Sequence, residues 1–211
     1  MKQTRLLIEY LVLFIAIPFG LRWLLQYYPG YPVLPFLWLA GVICGYWLWK
    51  RPHFDRRELT RMNISRRFLA GIVLRFSIFA LVIGIGMAWL APERFLRLPL
   101  NYPLLWLLIM LLYPVLSVYP QGIIYRGFMF HRYAPLFPRP WTMTIASALA
   151  FALVHLVFDN LPAVGLTAIA GVMFAWTYRQ TKSIAVSSLE HALYGCFIFT
   201  VGLGEFFYHG R

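Results

Sequence analysis

The chain has 211 residues, of which 61% are hydrophobic and 12% are charged, and its mean hydropathy is +0.69. Soluble domains carry about 45–50% apolar and about 25% charged residues, so this composition excludes a soluble globular fold and predicts a single all-α membrane domain. The formal net charge of +12 comes with no nucleic-acid-binding motif, and we expect no nucleic-acid partner.

Apolar stretches predict a polytopic bundle of about seven transmembrane helices, because a span needs about 20 apolar residues. In chain order the predicted spans cover residues 6–28, 32–49, 68–90, 102–133, 141–158, 163–178 and 184–207. The first stretch lacks a small-residue cleavage site, so we interpret it as a retained span. We divide the chain into an N-terminal three-span region, residues 1–100, and a four-span core, residues 101–211, that carries the motifs described below.

A dense basic loop, residues 50–67, separates the second and third spans. Its cations are Lys50, Arg51, Arg56, Arg57, Arg61, Arg66 and Arg67. Lys and Arg are retained on the cytoplasmic side of membranes, so this loop and the N-terminus are predicted to be cytoplasmic. We expect the loop to contact lipid headgroups, and residues 58–67 to form a short helix on the membrane surface. The opposite side is predicted to hold the Pro29-Gly30 turn, residues 93–97, 159–160 and 209–211.

Ionisable residues at membrane depth are the strongest functional signal, because inserting one costs about 2.5–3.5 kcal/mol. They are Glu9, Arg75, Arg126, His155, Glu190, His191 and Glu205. Glu9 and Arg75 are expected to form structural pairs. The others include three clusters within residues 119–128, 151–155 and 187–195. These clusters are either satisfied interhelical hydrogen bonders or parts of one site in the bundle core, and the residues alone do not decide between the two.

Three patterns in these clusters resemble the signature of the CPBP family of intramembrane proteases, which includes CAAX prenyl endopeptidases. The family pattern is Glu-Glu-x-x-x-Arg, then Phe-x-x-x-His, then His-x-x-x-Asn or Asp. Arg126 matches the first arginine, Phe151 and His155 match the second pattern, and His191 matches the third. The resemblance implies a bacterial cytoplasmic-membrane endopeptidase for membrane-embedded or lipidated peptides. In it a glutamate and His155 activate water, His191 faces the oxyanion, and Arg126 orients the first motif.

The chain departs from this pattern at three positions. Gln121 and Gly122 replace the two glutamates, and Gly195 replaces the motif-three Asn. Glutamine holds a water but cannot take its proton, and loss of a general base commonly costs about 10²–10⁴ in rate. Glu190, beside His191, is a candidate displaced base. The alternatives are therefore an endopeptidase acting through Glu190 or a water held by Gln121, and an inactive relative serving as a scaffold, immunity or partner-binding protein.

Two further possibilities are weaker. A divalent metal would have His155 and His191 as its ligands, but two histidines without a nearby carboxylate make a poor zinc set, and we expect none. A small transporter would also place charges at depth, but the sequence shows no pair of related halves with broken helices.

Overall fold

The computed structural model describes residues 2–28 and 32–207, and within them all regular secondary structure is helical. Six helices are long and apolar enough to cross a membrane, and a seventh apolar helix has 17 residues. We number them Gln3–Tyr27 (α1), Val33–Trp49 (α2), Arg66–Leu90 (α3), Pro103–Arg132 (α4), Pro140–Phe158 (α5), Leu161–Thr181 (α6) and Ile184–Val201 (α7). The predicted polytopic helical bundle is confirmed. The predicted Pro29-Gly30 turn and residues 209–211 lie outside the described residues.

The helix starts follow from polar residues in the sequence. Ser65 accepts a hydrogen bond from the Phe68 amide ahead of α3 (3.2 Å), Asn160 caps α6 through Ala163 (2.8 Å), and Ser183 caps α7. Such side-chain acceptors satisfy amides that have no partner within the first helical turn. Large apolar side chains cover the outside of the bundle, among them Trp89 at 83% exposure. An apolar exterior on this scale requires lipid, and the chain is an integral membrane protein.

The basic loop differs from its prediction. Residues 58–67 do not form a surface helix; the loop contains one 3₁₀ turn, Arg56–Leu59, and α3 begins at Arg66. The reason is Glu58, whose side chain turns into the bundle, accepts a hydrogen bond from the Tyr178 hydroxyl (2.5 Å) and pairs with His131 (3.1 Å). A buried carboxylate requires such partners, so the loop is anchored to α4 and α6.

Helix α4 contains two π-helical segments, Pro114–Val118 and Ile123–Phe128. Pro114 and Pro120 lack the amide hydrogen that an α-helical ladder needs, which favours a change of hydrogen-bond register near them. In a regular α-helix, residues five apart point about 140° away from each other. The i→i+5 bonding of a π-helix brings such residues closer to one face, and Gln121 and Arg126 are five apart.

Helix α5 ends differently from the continuous span that was predicted. Its α-helical part stops at Val154, and His155–Phe158 is a 3₁₀ turn followed by Asp159 in a left-handed conformation (φ 54°). Asp159 therefore leaves the helix face of His155, on which the sequence spacing had placed it. It is exposed and pairs with Arg22 (2.7 Å).

Other membrane-depth charges form pairs between helices. Glu9 accepts hydrogen bonds from Arg132 (2.8 and 2.5 Å) and from the Tyr133 hydroxyl (2.9 Å). Arg75 of α3 pairs with Glu190 of α7 (2.8 Å). These contacts connect α1 to α4 and α3 to α7, and they give Glu9 and Arg75 the structural pairing expected of them.

Candidate active-site cavity

Helices α4 to α7 border a small, partly open cavity of about 10 Å³, which is the room of roughly one water molecule. It is lined by Gln121, Gly122, Arg126, Phe151, Phe174, Ser187, Ser188 and His191. All three sequence clusters contribute to this lining. Of the predicted site residues, Gln121, Arg126 and His191 line the cavity, whereas His155 and Glu190 do not.

Arg126 is one of the most buried charged groups, with 2% of its surface exposed. Its Nη1 donates to the hydroxyl of Ser147 (2.8 Å) and to the Tyr125 carbonyl (3.5 Å). The guanidinium lies 5.1 Å from the ring centre of Phe151 and 6.0 Å from that of Phe174. These neighbours are neutral, and among residues 2–28 and 32–207 no carboxylate lies within ion-pair distance of Arg126.

Phe151 lies at the centre of the predicted site residues. The His191 ring meets Phe151 edge-on at 5.3 Å and stacks on Phe174 at 4.6 Å. The His155 ring meets Phe151 at 4.7 Å. Arg126 and both histidines therefore contact the same aromatic ring, whose rigid shape fixes their relative positions.

His155 is beside the cavity but does not line it. Its Nδ1 lies 2.6 Å from the Phe151 carbonyl oxygen. A carbonyl only accepts hydrogen bonds, so Nδ1 carries the proton and Nε2 is the acceptor nitrogen. The rings of Phe158 and Phe207 lie 5.7 and 6.2 Å away, which leaves His155 in a mostly aromatic pocket.

Gln121 and Ser188 present polar atoms without partners. The Gln121 Nε2 donates to the Ser117 hydroxyl (2.8 Å), whereas its Oε1 is buried and has no hydrogen-bond partner. The Ser188 hydroxyl is likewise buried and without a partner. Unsatisfied buried polar atoms are uncommon and require an explanation, such as a bound water or ligand.

Glu190 does not face the cavity. Its side chain is completely buried, pairs with Arg75 (2.8 Å) and accepts a hydrogen bond from the Thr177 hydroxyl. The cavity lining does not include Glu190. Sequence adjacency to His191 does not bring its carboxylate into the site, because neighbouring helix positions point about 100° apart.

Residues from other parts of the chain occupy the space of two missing motif side chains. A Cβ built on Gly122 would collide with the Ser188 hydroxyl, and one built on Gly195 would collide with the ring and hydroxyl of Tyr113. The Tyr113 hydroxyl also lies 3.3 Å from the His191 Nε2 and shares a hydrogen bond with it. Sequence reasoning missed Tyr113 and Ser147, because neither lies within a motif. Ser188 lay in a quoted cluster without an assigned role.

The site residues do not fit a metal ion. Among the residues that the structure describes, no group of three or more His, Cys, Asp or Glu side chains could hold one. The proton on His155 Nδ1 and the Tyr113 contact of His191 Nε2 also occupy one nitrogen of each ring. We therefore propose no role for a metal ion in the chemistry of this site.

A protein-family comparison agrees with the geometry. The family model described as Rce1-like, type II CAAX prenyl endopeptidase, matches residues 101–197. Residues 101–197 are therefore similar to this family of intramembrane endopeptidases. The matched segment contains every residue that lines the cavity and all three motifs. No curated protein and no solved structure matches the chain.

The match supports an intramembrane endopeptidase type of core for residues 101–197. Within this Rce1-like core, the described cavity lining provides one histidine, one arginine and three hydroxyl or amide side chains, but no carboxylate.

Proposed function

We propose that this chain is a non-hydrolytic member of the Rce1-like family that binds a membrane-embedded or lipidated peptide in the cavity between α4 and α7. The observation that carries the proposal is the absence of a carboxylate from the described cavity lining. The chain has a polar cavity with aromatic walls, but the described lining has no carboxylate to take a proton from water. Peptide binding needs only the cavity, whereas hydrolysis needs the cavity and a base.

The residues at the motif-one positions support this proposal. Gln121 has nearly the shape of glutamate but cannot act as a base at any pH used for a protein. A glutamate side chain at position 122 has no room, because the Ser188 hydroxyl already occupies the Cβ space. Glu190 is engaged by Arg75 and Thr177, so taking a proton there would break a buried ion pair. Breaking such a pair commonly costs about 3–5 kcal/mol.

A slow endopeptidase is the second candidate, and one observation favours it. The partnerless Gln121 Oε1 and Ser188 hydroxyl suit a water molecule, which needs two to four polar partners. His155 lies next to the cavity with its Nε2 as an acceptor, and would be the base in that case. For the first candidate, we propose the role of a structural scaffold or an immunity protein in a bacterial cytoplasmic membrane.

The two candidates separate in one reconstituted experiment. Protein in phospholipid vesicles is mixed with labelled single-span peptides, with and without a C-terminal prenyl group. Photo-crosslinking reports binding, and mass spectrometry of the peptides reports cleavage. We expect the wild type to crosslink without cleavage, and Gln121→Glu to cleave at a rate at least about 10²-fold above the wild-type background, because it supplies a carboxylate base in the cavity lining.

Matched variants control the experiment. Gln180→Glu makes the same chemical change at an exposed position on α6 and should not gain cleavage. His155→Ala added to Gln121→Glu should abolish the gain. Wild-type cleavage that disappears in Glu190→Gln would overturn the proposal in favour of a displaced base. Wild-type cleavage that disappears in His155→Ala would instead establish the slow endopeptidase.

A further inference from the structure

We infer that the cavity recognises a carboxylate group of its ligand through Arg126, with the Ser188 hydroxyl and the Gln121 amide as additional donors. The inference rests on the proposed function only in that the cavity is a binding site. It adds the chemical group that the site selects.

The buried charge of Arg126 is the first step. A guanidinium has five N–H donors, and the contacts of Arg126 use one nitrogen, Nη1, towards Ser147 and the Tyr125 carbonyl. Buried charges are normally paired with an opposite charge or a metal. Arg126 has two aromatic neighbours and neutral acceptors instead, and its side chain lines the cavity.

Comparison with other arginines in the spans makes the missing charge specific. Arg22 pairs with Asp159, Arg75 with Glu190, and Arg132 with Glu9, at 2.7, 2.8 and 2.5 Å. Their side chains are 37%, 30% and 23% exposed, so all three reach lipid headgroups or water more readily than Arg126 does. Of these four arginines, the most buried one is thus the one without an ion pair in the described part of the chain.

The shape of the site suits a carboxylate. Two parallel N–H groups of a guanidinium match the two oxygens of a planar carboxylate. The Ser188 hydroxyl has no partner of its own and can donate to such an oxygen. The Gln121 Nε2 can also donate to such an oxygen if the amide is flipped. The Ser117 hydroxyl would then donate to Oε1 instead of accepting from Nε2. Phe151 and Phe174 exclude water from the guanidinium, which strengthens the attraction.

The sequence points to the same group. The π-helical register of α4 places position 121 and Arg126 on one cavity. Position 121 holds glutamine, which differs from glutamate only in having an amide nitrogen in place of one carboxylate oxygen. No carboxylate of residues 2–28 and 32–207 supplies the missing charge, so we assign it to a ligand, as the C-terminal carboxylate of a peptide or as an Asp or Glu side chain within it.

The test uses the purified full chain in detergent with sodium acetate as the probe, against acetamide and sodium chloride at matched ionic strength. A ligand that binds only the folded state raises the unfolding temperature, and we expect acetate to raise it by about 2–4 °C at saturation. Acetamide has the same shape without the charge and should give no shift. An equal shift with chloride would overturn the preference for a carboxylate.

Two variants make the test decisive. Gln121→Glu supplies the carboxylate from within, so this variant should unfold at a higher temperature than wild type without acetate and should not respond to acetate. Gln180→Glu should keep the wild-type response. Arg126→Met should lose it, and if Arg126→Met does not fold, the Gln121→Glu result decides. A full acetate response in Gln121→Glu would overturn the inference.

A second arm identifies the source of the carboxylate. Crosslinking is compared between a single-span peptide with a free C-terminus and its amidated form, and between internal Glu and Gln versions. We expect one of the two pairs to differ by at least about tenfold, which is about 1.4 kcal/mol. Equal crosslinking in both pairs would overturn the inference. Hydrolysis by the wild type would overturn the proposed function but not this inference, so the two failures are distinguishable.

Discussion

At the scale of single residues, the site is completed by side chains that lie outside the motifs. Gly195 lies where the third motif of the family has an Asn or Asp. The Tyr113 hydroxyl, from α4, fills the space of that side chain and contacts His191. A polar group from a different helix therefore occupies this position beside His191.

This replacement predicts the behaviour of Gly195→Asn. Restoring the motif side chain should destabilise the fold by about 1–3 kcal/mol, because the new Cβ overlaps the Tyr113 ring. Thermal unfolding in detergent measures the loss. Tyr113→Ala combined with Gly195→Asn should recover a large part of it, whereas Tyr113→Ala alone should not be stabilising. A Gly195→Asn protein as stable as wild type would show that Tyr113 does not fill the space.

The motif residues could be predicted from sequence, but the contacts that complete them could not. Spacing identified Arg126, His155 and His191, since pattern and hydrophobic context are local properties. Tyr113 is 78 positions away from His191, and a gap of that size carries no sequence signal without the packing of α4 on α7. For the same reason, the sequence did not indicate that Glu190 pairs with Arg75, which lies on α3.

At the scale of elements, the predicted spans agree with the observed helices to within a few residues, because apolar length is set by the membrane. The errors lie where one polar contact changes the local structure. Glu58 anchors the basic loop to the bundle, and the last turn of α5, from His155, is a 3₁₀ helix instead of an α-helix. Periodicity does not encode either event.

The Glu58 contact predicts a pH dependence of stability. Burial, the largest single effect, raises the pKa of the Glu58 carboxyl, but hydrogen bonds from His131 and Tyr178 and the charges of His131 and Lys182 lower the pKa below its usual value overall. A lowered folded-state pKa means that the carboxylate stabilises the fold above its unfolded pKa of about 4.3. This stability is lost as the pH falls through the folded pKa.

Thermal unfolding of wild type and Glu58→Gln across a pH series tests this. We expect Glu58→Gln to be less stable at neutral pH by about 1.5–3 kcal/mol, because it loses hydrogen bonds to a charged group. The gap between the two proteins should stay constant down to about pH 5 and narrow below about pH 4.3. Carboxylates that both proteins share contribute equally to the two curves and cancel. A gap that is independent of pH would contradict the charged state of Glu58.

At the scale of the whole molecule, the distribution of cations predicts the orientation. The basic loop and the first turn of α3 together carry seven Lys and Arg residues, and aromatic rings hold several of them at the membrane border. The Arg51 and Arg56 guanidiniums lie 3.9 and 4.1 Å from the ring centres of Trp47 and Trp49. Such cation–aromatic pairs are typical of a headgroup region and agree with a cytoplasmic loop beside anionic lipid.

Single cysteines read by a membrane-impermeant maleimide test this orientation and the crossing of α2, whose 17 residues span about 25 Å. Arg5→Cys and Arg57→Cys should label only from the cytoplasmic side, and Glu93→Cys only from the opposite side, because α1, α2 and α3 each reverse the side of the chain. Wild type is the control, since Cys44 is buried and Cys196 half-buried within spans. Arg5→Cys and Arg57→Cys labelling from opposite sides would show that one of α1 and α2 does not cross. If Arg57→Cys labels only from the outside and Glu93→Cys only from the cytoplasmic side, the predicted topology is wrong. The motif helices then have the inverted orientation.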